Sequence, residues 1–129
     1  MNTKLLMIVS AAVLGAAGIM LTFLPLEVSS YLGMAGTSSV MLQVLGSLYF
    51  GFAMLNWTAK ANLIGGIYSK PVAIGNFTHF LIGGLALAKL AFRNMSITYI
   101  FIAAIIYLIF SIFFGYVLYN NPVLKNKSA

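Results

Sequence analysis

Four long apolar segments constrain this chain more than any other feature. They are Leu5 to Leu24, Val40 to Thr58, Val72 to Phe92 and Ile97 to Tyr119. The first, second and fourth contain no charged residue. Each has about 19 to 23 residues, and at roughly 1.5 Å per residue a helix of that length crosses a hydrocarbon core of about 30 Å. The pattern predicts four transmembrane helices.

The composition excludes an ordinary water-soluble domain. Of the 129 residues, 62% are hydrophobic and 6% are charged, whereas a soluble domain is roughly 45–50% apolar and about 25% charged. The segments are apolar on every face, while strands of a membrane barrel alternate polar and apolar residues. The predicted fold class is therefore all-α, a polytopic membrane four-helix bundle that forms one transmembrane domain over residues 1–129 with the lipid bilayer as its solvent.

The first segment admits two interpretations. MNTKLLMIVSAAVLGAAG resembles a secretory signal, because a lysine precedes an apolar run and small residues. The apolar run continues from Ile19 to Leu24, beyond any small-residue cleavage site, which favours a retained first span.

The connections between the segments differ in length. Pro25 suits a helix end, and Val28, Tyr31 and Leu32 have the spacing of a short amphipathic turn on the membrane surface, ended by Gly33 and Gly36. In the second connection, Gly65, Gly66 and Pro71 act as helix breakers. The third, from Arg93 to Ser96, is so short that spans three and four are expected to form an antiparallel hairpin.

The basic residues predict the orientation. Four spans place both termini on one side, together with Lys4, Lys60, Lys70, Lys125 and Lys127. The other side receives Lys89, Arg93 and the only carboxylate, Glu27. Because basic residues accumulate in the cytoplasm, both termini are predicted to be cytoplasmic. The net charge of +6 is explained by this orientation and indicates no nucleic-acid partner.

The third segment contains an unusual polar stretch, IGNFTHFLIGG at residues 74–84, with the only histidine of the chain. Helical rise places His79 about 10 Å below the cytoplasmic end of the span. Asn76, His79 and Gly83 share one face, and Thr78 lies farther round the helix. An amide and an imidazole exposed to lipid would each cost several kcal/mol, so this face is expected to point inward or into a watery cavity.

Polar residues of the second span lie at similar depths. Asn56 and Tyr49 share a stripe, and Gln43 lies nearer the opposite surface. One interpretation is a hydrogen-bonded zipper between the second and third spans. The other is a polar pocket open to the cytoplasm, in which His79 carries protons or orients a ligand. The candidate ligand-binding residues are Asn76, His79, Thr78, Asn56, Tyr49 and Gln43.

Small residues at four-residue spacing mark the expected contact faces of the first two spans: Ala11 and Gly15, Ala12 and Ala16, and Ser47 and Gly51. On the third span, Gly75, His79 and Gly83 follow the same spacing. These faces fit contacts within one chain, and a homo-oligomer is the alternative. An aromatic group, Phe110, Phe113, Phe114 and Tyr116, fits packing and lipid contact better than a cavity for a flat apolar ligand.

Several kinds of chemistry lack the residues they need. No Asp or Glu lies in a span, which disfavours proton- or sodium-coupled carriers and small multidrug antiporters with an essential membrane glutamate. The absence of cysteine excludes disulfides and thiolate metal sites. One histidine is a weak basis for a metal site or for paired acid–base catalysis. We assign no catalytic residue, no metal and no cofactor, and an enzymatic activity is not favoured.

Three stretches resemble the DoxX-like group of small bacterial four-helix membrane proteins: FLPLEVSSYLG after the first span, LGSLYFGFAMLNW in the second and GNFTHFLIGGLALAK in the third. The resemblance implies a compact four-helix bundle in the bacterial inner membrane, in a group sometimes associated with quinone-linked electron transfer.

These observations favour a binding or accessory membrane protein whose polar face lies on the second and third spans. Its expected partners are lipid, a second copy of the chain, and a small apolar or weakly polar ligand. A passive channel or transporter for a small neutral or anionic solute is the first alternative. A lipid- or quinone-linked membrane enzyme is the second.

Overall fold

The structure, a computed structural model, describes residues 2–34, 36–62, 64–93 and 98–120. Within these residues the chain forms five α-helices and one 3-10 turn, with no β-strand. The helices are α1 (Thr3–Phe23), α2 (Pro25–Tyr31), α3 (Ser39–Ala59), α4 (Lys70–Arg93) and α5 (Thr98–Tyr119), and the 3-10 turn is Ile67–Ser69.

The helices α1, α3, α4 and α5 are long and apolar enough to cross a membrane. They coincide with the four predicted segments to within two residues at each end. The chain is therefore a helical membrane protein, as the sequence predicted.

The chain divides into two compact units, Met1–Ala61 and Asn62–Ala129. In the first unit α1 packs against α3, with α2 between them in sequence, and in the second α4 packs against α5. Each pair is antiparallel, and the pairing of α4 with α5 agrees with the predicted hairpin of spans three and four. Residues 94–97, which link those two helices, lie outside the described residues, and the grouping of all four spans in one domain stays a prediction.

In the first unit, α1 and α3 touch through their main chains at two glycines. A Cβ atom at Gly18 would lie 2.8 Å from the carbonyl oxygen of Gly46 and 2.8 Å from the nitrogen of Phe50. A Cβ at Gly46 would lie equally close to the Gly18 oxygen. Hydrogen at both positions lets the helix axes approach closely, which is the packing that membrane helices favour.

The small residues of α3 named from the sequence lie elsewhere on the helix. Ser47 and Gly51 are exposed, and a Cβ at Gly51 would meet nothing within 4 Å. On α1, the predicted Ala11 and Gly15 do face α3: Ala11 is buried, and a Cβ at Gly15 would lie 3.5 Å from the Ala53 Cβ. The close contact of α3 falls at Gly46, one position before the predicted Ser47.

A single residue, Leu24, separates α1 from α2. Pro25 occupies the first position of α2, where its missing N–H breaks no helical hydrogen bond. The helix ends in a Schellman motif: Met34 N donates to Ser29 O at 2.8 Å, and Gly33 N donates to Ser30 O at 3.1 Å. Gly33 adopts a φ of 66°, which glycine tolerates at little cost. The short helix predicted after the first span is present and ends where glycine was expected to end it.

In the second unit, α4 and α5 pack through aromatic rings. Phe80 is fully buried and stacks on Phe110 with ring centroids 4.7 Å apart, and on Phe114 at 5.8 Å. Tyr107 meets the same ring edge-on at 5.1 Å. Phe113 and Tyr116, the other members of the predicted aromatic group, are exposed. Phe110 and Phe114 therefore serve the helix contact, in agreement with the packing interpretation.

The sequence predicted Pro71 to be a helix breaker in the second connection, but it lies inside the first turn of α4. The first four N–H groups of a helix have no partner within the helix, so proline is tolerated there. The third span consequently begins two residues earlier than Val72, at Lys70.

Candidate functional site

Asn56 of α3 and Ser10 of α1 form a buried polar contact in the first unit. Both side chains are fully buried. Asn56 Nδ2 donates to Ser10 Oγ at 3.0 Å, and Ser10 Oγ donates to the carbonyl oxygen of Met7 at 3.1 Å. The amide, the hydroxyl and the carbonyl thus form a short relay of two hydrogen bonds. The relay ties the two helices together inside an apolar environment.

Ser10 was not among the residues selected from the sequence. A serine in a transmembrane segment is a weak indication of a contact between helices, since its hydroxyl can bond to its own helix. A hydroxyl in an uncharged span is the only signal in the sequence, and the register of α1 against α3 is needed to place it within reach of the Asn56 amide.

The other two candidates of α3 occupy different surroundings. Gln43 is exposed, and its Nε2 lies 3.4 Å from the carbonyl oxygen of Thr22, near the end of α1 opposite to Ser10. Tyr49 is half-buried midway along the helix. Gln43 and Asn56 thus mark the two ends of the α1–α3 contact, and each donates to α1.

In the second unit, Asn76 and His79 lie one turn apart on α4. Asn76 is fully buried, and its Nδ2 donates to the carbonyl oxygen of Val72 at 2.9 Å. His79 is half-buried, with its ring centroid 5.1 Å from Phe80 and 5.5 Å from Tyr107. Both rings constrain the orientation of the imidazole.

The third candidate of α4, Thr78, is exposed. Asn76 is buried and Thr78 is exposed because the two residues lie on different sides of the helix, as the sequence predicted. One turn beyond His79, Gly83 lies against Tyr107, where a Cβ would approach the ring to 2.8 Å. Asn76, His79 and Gly83 therefore lie on the side of α4 that is covered, as the sequence predicted for this face.

The six candidates thus fall into two groups, three in each unit. Asn56 is joined to a neighbouring helix by a buried hydrogen bond, and His79 lies against two aromatic rings. The prediction that the second and third spans pair through these side chains stays a prediction, as does their role in binding a ligand.

The chemistry available at these positions is that of hydrogen bonding and of one imidazole. Among residues 2–34, 36–62, 64–93 and 98–120, no group of three or more His, Cys, Asp or Glu side chains is placed to hold a metal ion. Amide, hydroxyl and imidazole groups can donate and accept hydrogen bonds to a neutral molecule.

Comparisons of the chain with protein-family models, with curated proteins and with solved structures found no match.

Proposed function

We propose that this chain is a binding or accessory protein of the bacterial inner membrane, a four-helix bundle with both termini in the cytoplasm. The observation that carries the proposal is the relay from Asn56 through Ser10 to the Met7 carbonyl. A polar group used to move a solute must exchange its hydrogen-bond partners, whereas this amide donates to a fully buried hydroxyl of the adjacent helix. Such a contact supports a stable scaffold.

The orientation and the location have separate support. The excess of lysine on the side of the termini favours the cytoplasm for both ends. The resemblance of three stretches to the DoxX-like group favours the bacterial inner membrane.

The ligand of such a scaffold would be small and apolar or weakly polar. On α4, the half-buried His79 offers an imidazole framed by Phe80 and Tyr107. Aromatic faces contact flat or aliphatic groups, and one imidazole adds one hydrogen bond. The second unit is therefore the favoured place for the ligand. Native mass spectrometry of protein extracted from its own membrane would report a retained small molecule, and we expect the His79→Leu variant to lose it.

The proposal is tested by solute flux and melting measured together. Liposomes that contain the protein should take up glycerol, urea and formate no faster than protein-free liposomes. The Asn56→Leu variant should melt at a lower temperature in detergent, because Ser10 loses its donor, while uptake stays at background. The Thr78→Val variant, changed at an exposed position of α4, is the control and should melt like the wild type.

A passive facilitator for a small neutral or anionic solute is the competing function. It is favoured by the placement of Asn76 and His79 one turn apart on the covered side of a span. Uptake well above that of empty liposomes, abolished by His79→Leu and retained by Thr78→Val, would reject the accessory role and support the facilitator.

A further inference from the structure

One end of the first unit collects positive charge. Ser10 bonds to Asn56, and farther along α1 Gly18 meets Gly46 and Thr22 meets Gln43, so the two helices are antiparallel. The start of α1 and the end of α3 therefore lie at the same end of this unit. Lys4 lies in the first turn of α1, and Lys60 follows the last residue of α3. The only carboxylate of the chain, Glu27, lies in α2, beyond the opposite end of α1. Both lysines are therefore remote from any carboxylate of this unit.

The ammonium group of Lys60 lies over an aromatic ring. Its Nζ lies 2.9 Å from the ring centroid of Trp57, one turn earlier. The ring is uncharged, so it orients the ammonium group while leaving the positive charge uncompensated. Trp57 is 50% exposed, and indole rings favour the headgroup level of a bilayer. The pair therefore places a cation beside an indole ring that favours the level of the lipid headgroups.

The surface just below this end is apolar. Leu5, Val9, Met54 and Leu55 are exposed large hydrophobic residues on the two helices. An acyl chain can lie against them while its headgroup stays beside the lysines. A soluble anion would use only the charges, whereas a phospholipid matches both the charged end and the apolar sides.

We propose that the end of the first unit formed by Lys4, Trp57 and Lys60 binds the headgroup of an anionic phospholipid. Two cations without a neighbouring carboxylate attract a net negative headgroup, whereas the choline cation of a zwitterionic lipid is repelled. The site is independent of the proposed function, since it requires neither a ligand nor solute flux.

The test uses Trp57 as its own reporter, because it is the only tryptophan of the chain. The full protein is reconstituted in phosphatidylcholine vesicles that contain the same small fraction of either brominated phosphatidylglycerol or brominated phosphatidylcholine. Bromine quenches tryptophan fluorescence only at contact. We expect the anionic brominated lipid to quench the wild type about twofold more strongly, since each nearby lysine favours anionic lipid.

Three variants separate a local site from the general effect of net charge. The Lys4→Gln/Lys60→Gln variant should be quenched equally by both lipids, and Lys60→Arg should retain the preference. Lys89→Gln/Arg93→Gln removes two cations from the C-terminal part of α4, outside the proposed site, and should leave the preference for anionic lipid unchanged. Equal quenching of the wild type by the two lipids, or an undiminished preference after loss of Lys4 and Lys60, would overturn the proposal. A preference lost equally in both double variants would also overturn it, because net charge would then be the cause.

Discussion

At the scale of single residues, the hydrogen bond between Asn56 and Ser10 is the feature most open to measurement. In lipid the separated helices also find partners for their polar groups, so one interhelical bond contributes only about 0.6 to 1.7 kcal/mol. We expect a double-mutant cycle of Asn56→Ala and Ser10→Ala to give a coupling free energy in that range. The free energies of unfolding would be measured by titration with sodium dodecyl sulfate.

Ser47 supplies a matched control for that cycle. Its hydroxyl donates to the Val44 carbonyl of its own helix, and the residue is exposed. Ser47→Ala combined with Asn56→Ala should therefore show additive effects. A coupling of zero between Asn56 and Ser10 would mean that the bond contributes nothing to the pairing of α1 with α3.

In the second unit, the side chain of Phe80 lies at the centre of the contact between α4 and α5. Its ring touches three aromatic neighbours on α5 and is fully buried. Truncation of a buried phenylalanine costs about 3–5 kcal/mol in well-packed cores, because both contacts and volume are lost. We expect Phe80→Ala to lower the free energy of unfolding by an amount of that order, measured in the same denaturant titration.

Ile82, on the exposed side of α4, provides the comparison. Ile82→Ala removes a side chain that meets mainly lipid, so we expect a change several times smaller than that of Phe80→Ala. Similar losses at the two positions would show that Phe80 is no better packed than a lipid-facing residue.

At the scale of the helices, the contact of α1 with α3 depends on the absence of two side chains. A methyl group at Gly18 would meet main-chain atoms of Gly46 and Phe50, which cannot rotate away. Gly18→Ala should therefore push the helices apart and lower the free energy of unfolding by about 1–3 kcal/mol. Sodium dodecyl sulfate titration would measure the loss.

The same substitution at Gly51 tests whether helix propensity alone explains the result. A methyl group there meets nothing within 4 Å, and alanine favours a helix over glycine by about 1 kcal/mol in water. Gly51→Ala should leave the free energy of unfolding unchanged or raise it. If Gly18→Ala and Gly51→Ala behaved alike, the close contact at Gly18 would be disproved.

The contrast between Gly46 and Gly51 shows how far the sequence can be read at this scale. Hydropathy located each span to within two residues, because length and the absence of charge suffice for that purpose. Which face of α3 meets α1 is a question of rotation, and α3 carries glycine on two faces. The face that packs is the one with Gly46, because Gly18 of α1 leaves room for it. The pattern of residues within α3 alone does not contain that information.

The same reason applies to the polar residues. The rotation between two positions of one helix is calculable from the sequence, so Asn76 and Thr78 could be assigned to different sides of α4. The partner of Asn56 could not be chosen, since a donor at a given depth can be rotated toward either neighbour. Ser10 became evident only when the register of α1 against α3 was known.

At the scale of the whole molecule, the distribution of lysine predicts the topology. The chain has no cysteine, so single cysteine variants report one position each. Ser38 precedes α3 and Ala61 follows it, and both are exposed. In intact cells, a membrane-impermeant maleimide should label the Ser38→Cys variant, and the Ala61→Cys variant only after the membrane is opened.

The alternative topology makes the reverse prediction. If the Ala61→Cys variant were labelled in intact cells and the Ser38→Cys variant were protected, both termini would lie outside the cytoplasm. Labelling of both variants in intact cells would mean that α3 does not cross the membrane. Either result would also move Lys4 and Lys60 to another leaflet or another depth.

The meeting of Gly18 with Gly46 has a consequence for how this protein can diverge over evolutionary time. Atoms that every amino acid possesses make that contact, so it imposes almost no choice on the outward-facing positions of α1 and α3. Those positions are free to exchange one aliphatic residue for another as membranes change in composition. Descendants of this chain should therefore keep Gly18 and Gly46, while most of their lipid-facing residues are substituted.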